Sequence, residues 1–232
     1  MTEVGSKAFL EARGVTKSYP MAGGQRLEIL RGIDLTIQKG EAISIVGASG
    51  AGKSTLLHIL GTLDRPTLGK VFHAGLDLTR LNDDELAKHR NQTMGFVFQF
   101  HHLLGEFSAL ENVAMPLRIG GEPMHLAVKA AEEKLVMLGL KDRLHHRPNE
   151  LSGGEQQRVA IARSIVRKPQ ILFADEPTGN LDTQNAARIQ ELMFELHQTL
   201  GLTLVVVTHD QNFAARFPRM LHMRDGQWDR GI

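Results

Sequence analysis

The sequence predicts an α/β fold: a mostly parallel sheet covered by helices, with an antiparallel β patch near the N-terminus and a helical insertion. Three observations predict it. An apolar run, Ile43-Ser44-Ile45-Val46, passes through a glycine-rich stretch into a helical segment, Thr55-Leu56-Leu57-His58-Ile59-Leu60. Two more short apolar runs, Ile171-Leu172-Phe173-Ala174 and Leu204-Val205-Val206-Val207-Thr208, have the composition of buried strands and end in polar residues. Between Pro123 and Leu140, Val128, Ala131, Leu135 and Leu138 fall on one face of a helix, with Gly139 placed to cap it. Residues 1–90 are expected to hold the antiparallel patch and the first strand–loop–helix unit, and residues from about 91 to 165 the helical subdomain. The remainder completes the sheet, and residues 1–232 form one domain.

The first loop reads Gly47-Ala48-Ser49-Gly50-Ala51-Gly52-Lys53-Ser54, the G-x-x-x-x-G-K-S pattern, and it has the strand before it and the helix after it that the pattern requires. Glycines allow such a loop to wrap a β-phosphate with its N–H groups. Lys53 then bridges the β- and γ-phosphates, the Ser54 hydroxyl ligates Mg²⁺, and Thr55 completes the phosphate-binding stretch.

The second strand ends in Asp175-Glu176. A carboxylate at the strand terminus suits Mg²⁺ held through water, and the next one suits a general base that polarises an attacking water. Acidic residues after a strand also serve as helix caps, but Pro177-Thr178-Gly179-Asn180-Leu181-Asp182 reads as a loop, not as the immediate start of a helix. The third run terminates in His209, which this setting places within reach of a γ-phosphate.

Upstream of that Asp-Glu pair lies Leu151-Ser152-Gly153-Gly154-Glu155-Gln156-Gln157-Arg158. Ser152 and Glu155 have capping-box spacing, and Val159, Ala162, Ile165 and Val166 continue as an apolar helical series. A helix therefore starts here with Gly153 and Gly154 in its first turn. Adjacent glycines cost helix stability unless something must approach the backbone closely, and a helix N-terminus attracts anions.

In this order the motifs resemble those of the nucleotide-binding subunits of ATP-binding cassette (ABC) transporters. The resemblance implies a P-loop NTPase of the ABC ATPase fold, an ATP hydrolase using ATP and Mg²⁺. It makes Gln99 the Q-loop glutamine that senses Mg²⁺, Leu151 to Glu155 the signature, Gly179 to Asp182 the D-loop and His209 the switch histidine. It also assigns Tyr19, the only tyrosine in the chain, to stacking on adenine; Ser18-Tyr19-Pro20 ahead of Gly23-Gly24 reads as an exposed loop. An active site built from two copies of the chain, a homodimer, follows from the same resemblance, with Ser152, Gly153, Gly154 and Asp182 contacting nucleotide.

The segment Phe98-Gln99-Phe100-His101-His102-Leu103-Leu104, followed by Leu110-Glu111-Asn112-Val113-Ala114-Met115-Pro116 and later by His146-Arg147-Pro148-Asn149-Glu150-Leu151, resembles the lipoprotein-releasing branch of the family over nearly the whole chain. Gly105 stands where that branch commonly carries a proline. Phe100, Leu103, Leu104 and Phe107 are too apolar for a loop facing only water; by the resemblance they line a groove for a cytoplasmic helix of a membrane subunit. This implies two integral membrane permease partners, a place on the cytoplasmic face of the inner membrane, and an indirect link to a periplasmic lipoprotein carrier. Sister ATPases of macrolide-efflux and FtsE type share the catalytic motifs and remain the alternative.

Composition argues against other classes. Lys plus Arg number 27 and Asp plus Glu 26, a formal +1, and no basic cluster offers a nucleic-acid footprint. There is no cysteine for disulfides or thiolate zinc sites. No apolar run approaches the roughly 20 residues of a membrane span. With no signal-peptide core around Glu3, Lys7 and Glu11 and a length of 232 residues, neither a signal peptide nor a fused membrane or C-terminal regulatory domain is expected. His101-His102 and His145-His146 lack the spacing of a helical metal site and are read as solvated or interface residues.

Overall fold

The structure, a computed structural model, describes residues 8–229; the reading of the N-terminus around Glu3 and Lys7 lies outside the described residues. In chain order the elements are β1 (Leu10–Pro20), β2 (Arg26–Ile37), β3 (Ala42–Val46), α1 (Lys53–Leu60), β4 (Leu68–His73), β5 (Leu76–Asp77), α2 (Asp83–Thr93), β6 (Met94–Phe98), α3 (Ala109–Ile119), α4 (Met124–Met137), α5 (Gly153–Ile165), β7 (Ile171–Asp175), α6 (Thr183–Leu200), β8 (Thr203–Val207), α7 (Gln211–Ala214), β9 (Arg219–Arg224) and β10 (Gln227–Trp228). The described residues group into two units, 8–86 with 203–229 and 87–202.

In the first unit, β3 pairs in parallel with β8 on one side and β9 on the other, and β10 adds antiparallel to β9. Every residue of β3 and β8 is buried. This is why both read as nearly continuous apolar runs, the buried Ser44 in β3 being paired by donating to Ala214 O: a parallel strand covered on both faces has no solvent side to alternate with. The antiparallel sheet runs β2-β1-β4-β5, with Leu10, Ala12, Val15, Leu30, Ile33 and Leu35 turned inward. Contrary to the loop expected around it, Tyr19 lies in β1. The β1–β2 ladder continues through Tyr19↔Leu27 to Pro20↔Arg26, while the pairing of β1 with β4 ends at Thr16↔Leu68. Beyond that point β1 is paired on one side only, and a proline that cannot donate is tolerated there.

In the second unit, β6 and β7 pair in parallel from Met94↔Ile171 to Phe98↔Asp175. The stretch from about residue 91 thus finishes a helix and forms a strand before α3 begins at Ala109. α4 buries Ala127, Ala131 and Leu135, with Leu138 just beyond its end. Val128, expected on that face, is only half-buried and Ala127 takes its place. Gly139 N–H donates to Val136 O and Leu140 N–H to Leu135 O, the paired bonds of a Schellman ending. In α5, Val159, Ala162, Ile165 and the following Val166 are all in the core, as their spacing predicts.

Candidate functional site

The phosphate loop belongs to the first unit. β3 delivers the chain to Gly47, and the loop turns into α1 at Gly52, whose φ of 102° is left-handed. A Cβ at Gly52 would stand 2.9 Å from Leu30 Cδ2 and 3.0 Å from Ile29 O, so the position excludes a side chain on conformation and on space. No side chain caps α1, and its first turn therefore presents N–H groups and a positive dipole end without an internal acceptor of that kind. Lys53 is 8% exposed, and its ammonium donates to Gly47 O and Ala48 O, both at 2.9 Å. These bonds draw the charge across the loop. Ala48, Ser49, Gly50 and Ser54 are exposed, or nearly so, and Thr55 is half-buried. A buried-stem cation, uncapped N–H groups and an exposed hydroxyl at one helix start make a donor set for a polyphosphate with its Mg²⁺.

In the same unit Tyr19 is 41% exposed, and its hydroxyl donates to Asp64 Oδ2 at 2.9 Å. Burial first, then the hydrogen bond and charge of Asp64, push the Tyr19 phenol above its usual range. His209 follows the buried Thr208 and is exposed; Asp210, next in sequence, caps α7 through the N–H groups of Asn212 and Phe213.

The second unit carries the other expected residues. Asp175 ends β7 and Glu176 follows it with φ of 47°, a left-handed conformation uncommon for a residue with a side chain. Such strain marks functional sites more often than ordinary loops. The chain then turns from Pro177 to Leu181, as expected of a loop, and Asp182 starts α6 by accepting from Gln184 N–H and Asn185 N–H at 3.1 and 3.0 Å. These bonds, foremost that from Asn185 N–H, hold the Asp182 carboxyl below its ordinary range. Asp182, expected to contact nucleotide, is seen here as the cap of α6, a role that spacing alone does not reveal.

α5 begins with the capping box that its spacing predicts. Ser152 Oγ accepts from Glu155 N–H at 3.3 Å, and Glu155 Oε2 accepts from Ser152 N–H at 2.8 Å. The bond from Ser152 N–H leads the stabilisation of this carboxylate, and with Ser152 Oγ–H and Arg143 it outweighs burial to bring Glu155 down to about 2. The two glycines differ. A Cβ on Gly154 would meet Asn185 Oδ1 at 2.7 Å, whereas one on Gly153 would meet only Leu181 Cδ2 at an ordinary 3.5 Å. Packing inside the chain accounts for Gly154 and leaves Gly153 without an internal reason.

Gln99 is tied to the loop after β7: its Nε2 donates to Asn180 Oδ1 at 3.0 Å, and Asn180 Nδ2 donates to Gln99 O at 3.2 Å. Gln157 of α5 is a functional-site neighbour that sequence reasoning misses. It is fully buried and donates to Pro177 O at 2.6 Å, next to Glu176; its place on a helix face carries no signal of that partner. Past Gln99, Phe100 is 67%, Leu104 44% and Phe107 37% exposed, and Leu103 is half-buried. Burial in the core is excluded for the first three. Asn112, fully buried, shapes the segment by accepting from Leu104 N–H and donating to Leu104 O, Phe107 O and Ser108 O. Arg163 donates to His101 O and His102 O, each at 2.7 Å. Burial pushes the His101 imidazole below its usual range. Among the described residues no group of three or more His, Asp and Glu forms a self-contained metal cage, and no helix is long and apolar enough to cross a membrane.

Known proteins are similar to this chain in sequence and fold. The family model described as ABC transporter matches residues 30–179. The lipoprotein-releasing system ATP-binding protein LolD of Bdellovibrio bacteriovorus is 58% identical over 219 residues, 94% of this chain and 99% of that protein. LolD of Geobacter metallireducens is 53% identical over 220 residues, 95% and 97% of the two chains. Among solved structures, the dimeric structure of MJ0796, a bacterial ABC transporter cassette, gives a TM-score of 0.88 at 43% identity, covering 95% of this chain and 97% of that one. A dimeric post-hydrolysis state of the same cassette, bound to ADP and Pi, gives 0.88 at 42% identity with the same coverage. With its phosphate loop, Asp-Glu strand end and capped signature helix, the chain belongs to the ABC transporter ATP-binding family and, within it, to the group of lipoprotein-releasing system ATPases.

Proposed function

We propose that this ATPase powers the release of lipoproteins from an inner membrane toward a periplasmic carrier. It would act on the cytoplasmic face as a homodimer docked to two permease subunits of LolC/LolE kind. Residues 1–232 work as one ATPase domain whose helical part is about residues 91–165. The nucleotide's phosphates lie along Gly47 to Thr55 with Lys53 against the β- and γ-phosphates. Glu176 takes a proton from the attacking water as that water's oxygen bonds to the γ-phosphorus and the bond to the ADP oxygen breaks. Gln99 and His209 orient the γ-phosphate and water; Ser152, Gly153, Gly154 and Asp182 contact the nucleotide held by the other copy. Ser54, Gln99 and Asp175 would hold Mg²⁺, which would supply charge neutralisation to the phosphate oxygens.

The observation that carries the transport reading is the exposed Phe100, Leu104 and Phe107 in the segment after Gln99, because exposed apolar side chains on a segment whose backbone at Leu104 and Phe107 is tied to the buried Asn112 suit a helix docked in a groove. The test is a Phe100→Ser, Leu104→Ser chain. It should melt close to wild type and bind ATP, yet fail to co-purify with its membrane subunits and fail to release lipoproteins in reconstituted membranes. Normal release by this variant would overturn the transport reading.

A further inference from the structure

Tyr19 is restrained at its tip and on one face. Its hydroxyl donates to Asp64 Oδ2 at 2.9 Å, and Lys17 Nζ sits over the ring 4.8 Å from the centroid. The same ammonium donates to Asp64 Oδ1 at 2.6 Å and to Arg65 O at 2.8 Å. Asp64 also accepts from Arg65 N–H at 2.7 Å. Burial alone would raise the Asp64 carboxyl, but the hydrogen bonds from Lys17, Tyr19 and Arg65, with the charge of Lys17, hold it below the usual carboxylate range. A half-exposed tyrosine with a free hydroxyl would sample several rotamers. This one is fixed at its far end with a cation on one face, and it stays 41% exposed to a planar partner.

The anchor is not itself loose. Leu63 N–H and Asp64 N–H both donate to His58 O, at 2.8 and 3.3 Å, so Asp64 follows directly on the final turn of α1. α1 is eight residues long, on the order of 12 Å at the helical rise. Its first turn carries Lys53 and Ser54. One rigid helix therefore bears the phosphate donors at its start and the support of the ring beyond its end.

We propose that Asp64 and Lys17 are positioning residues that hold Tyr19 as a one-sided stacking platform for the nucleotide's purine base, at a spacing from the phosphate loop set by α1. This rests on the reading of Tyr19 as the adenine contact. It has a consequence that stacking alone does not: the Tyr19 hydroxyl contributes to binding, so an aromatic face without it is insufficient.

The test compares the dissociation constants of ATP and of inorganic tripolyphosphate, which has no base, on the full chain. Tyr19→Ala should weaken ATP by on the order of tenfold or more, the scale of one lost base stack. Asp64→Ala, Lys17→Met and Tyr19→Phe should each weaken it by roughly three- to tenfold, the scale of freeing one immobilised side chain. Asp64→Asn, which still accepts from the hydroxyl, should recover most of the Asp64→Ala loss. Tripolyphosphate should bind all of these variants as it binds wild type. If Tyr19→Ala weakens ATP while Asp64→Ala, Lys17→Met and Tyr19→Phe do not, the support is wrong and the adenine reading stands. Unchanged ATP affinity in Tyr19→Ala would remove both. Equal losses for ATP and tripolyphosphate would make the cluster a prop for the phosphate loop, again overturning the proposal. Tyr19→Phe removes a single oxygen from an exposed residue, so it decides the question even if Asp64→Ala misfolds.

Discussion

α3 and α5 begin with the same device and continue differently. In α3 Ser108 and Glu111 exchange bonds of 3.3 and 2.8 Å, and in α5 Ser152 and Glu155 exchange bonds of 3.3 and 2.8 Å. After the cap, α3 proceeds with Ala109 and Leu110, good helix formers, while α5 proceeds with Gly153 and Gly154. Since the box satisfies the same orphan groups in both, the cap itself cannot be why α5 has glycines. Asn185 explains Gly154 by crowding it, and nothing in the chain crowds Gly153. In the proposed function an approaching anion has to account for only one of the two glycines, Gly153, with the Ser152 hydroxyl beside it. α1 makes a third case, with no side-chain cap at all, as suits a helix start proposed to meet the phosphates of the substrate.

The largest expected effect lies at the base. Glu176→Gln should bind ATP and lose about 10²–10⁴-fold in turnover, because the amide keeps the shape and loses the proton acceptor. The variant also sharpens the contrast between the two helices. With uncleaved ATP trapped in a closed dimer, amide exchange should slow at Gly153 and stay unchanged at Ala109. Near-normal steady-state hydrolysis would remove Glu176 from its role.

Next in size is a difference in stability with pH. Glu155 is held at about 2 against an ordinary 4.5, worth at most about 3 kcal/mol at 1.36 kcal/mol per unit. The folded value is the lower one, so this contribution is complete above pH about 4.5 and is lost as pH falls toward 2. Denaturant melts of wild type and Glu155→Gln should differ most at neutral pH and converge across that window. A gap that does not change with pH would mean that packing, not ionisation, carries the effect.

Smaller again is the loss of either cap. Ser108→Ala and Ser152→Ala should each cost ~1 kcal/mol, read as similar drops in denaturation midpoint. Only Ser152→Ala should also slow ATP turnover. Equal turnover in both would make α5 an ordinary capped helix.

What is legible in the sequence is local. Strand, loop and α1 at Gly47 to Thr55, the α5 cap and the end of β7 depend on neighbours a few positions apart, and periodicity or spacing reports them. Tyr19 reads as a loop residue because Pro20, Gly23 and Gly24 signal a turn locally, whereas the β1–β2 ladder, decided by pairing across the hairpin, runs on to Pro20↔Arg26. Val128 and Ala127 exchange places because a helical stripe wider than one row leaves its edge to tertiary packing. The bonds from Tyr19 to Asp64 and from Gln99 to Asn180 span 45 and 81 positions, and no pattern in a single sequence encodes such pairs. The motifs mark the candidate residues for phosphate chemistry; their long-range partners emerge only from the fold.

The central claim, that the start of α5 is shaped for an anion from outside its own helix, is tested most directly by the turnover and stability of Gly153→Ala. A methyl group there meets only Leu181 at 3.5 Å, so folding should be unharmed or gain up to about 1 kcal/mol from the better helix former. If a phosphate must approach that backbone, the same methyl blocks it, and ATP turnover should fall by roughly tenfold or more, the scale of one lost close contact, while the melting temperature holds or rises. A variant that is as stable as wild type and hydrolyses ATP at the wild-type rate would contradict the account.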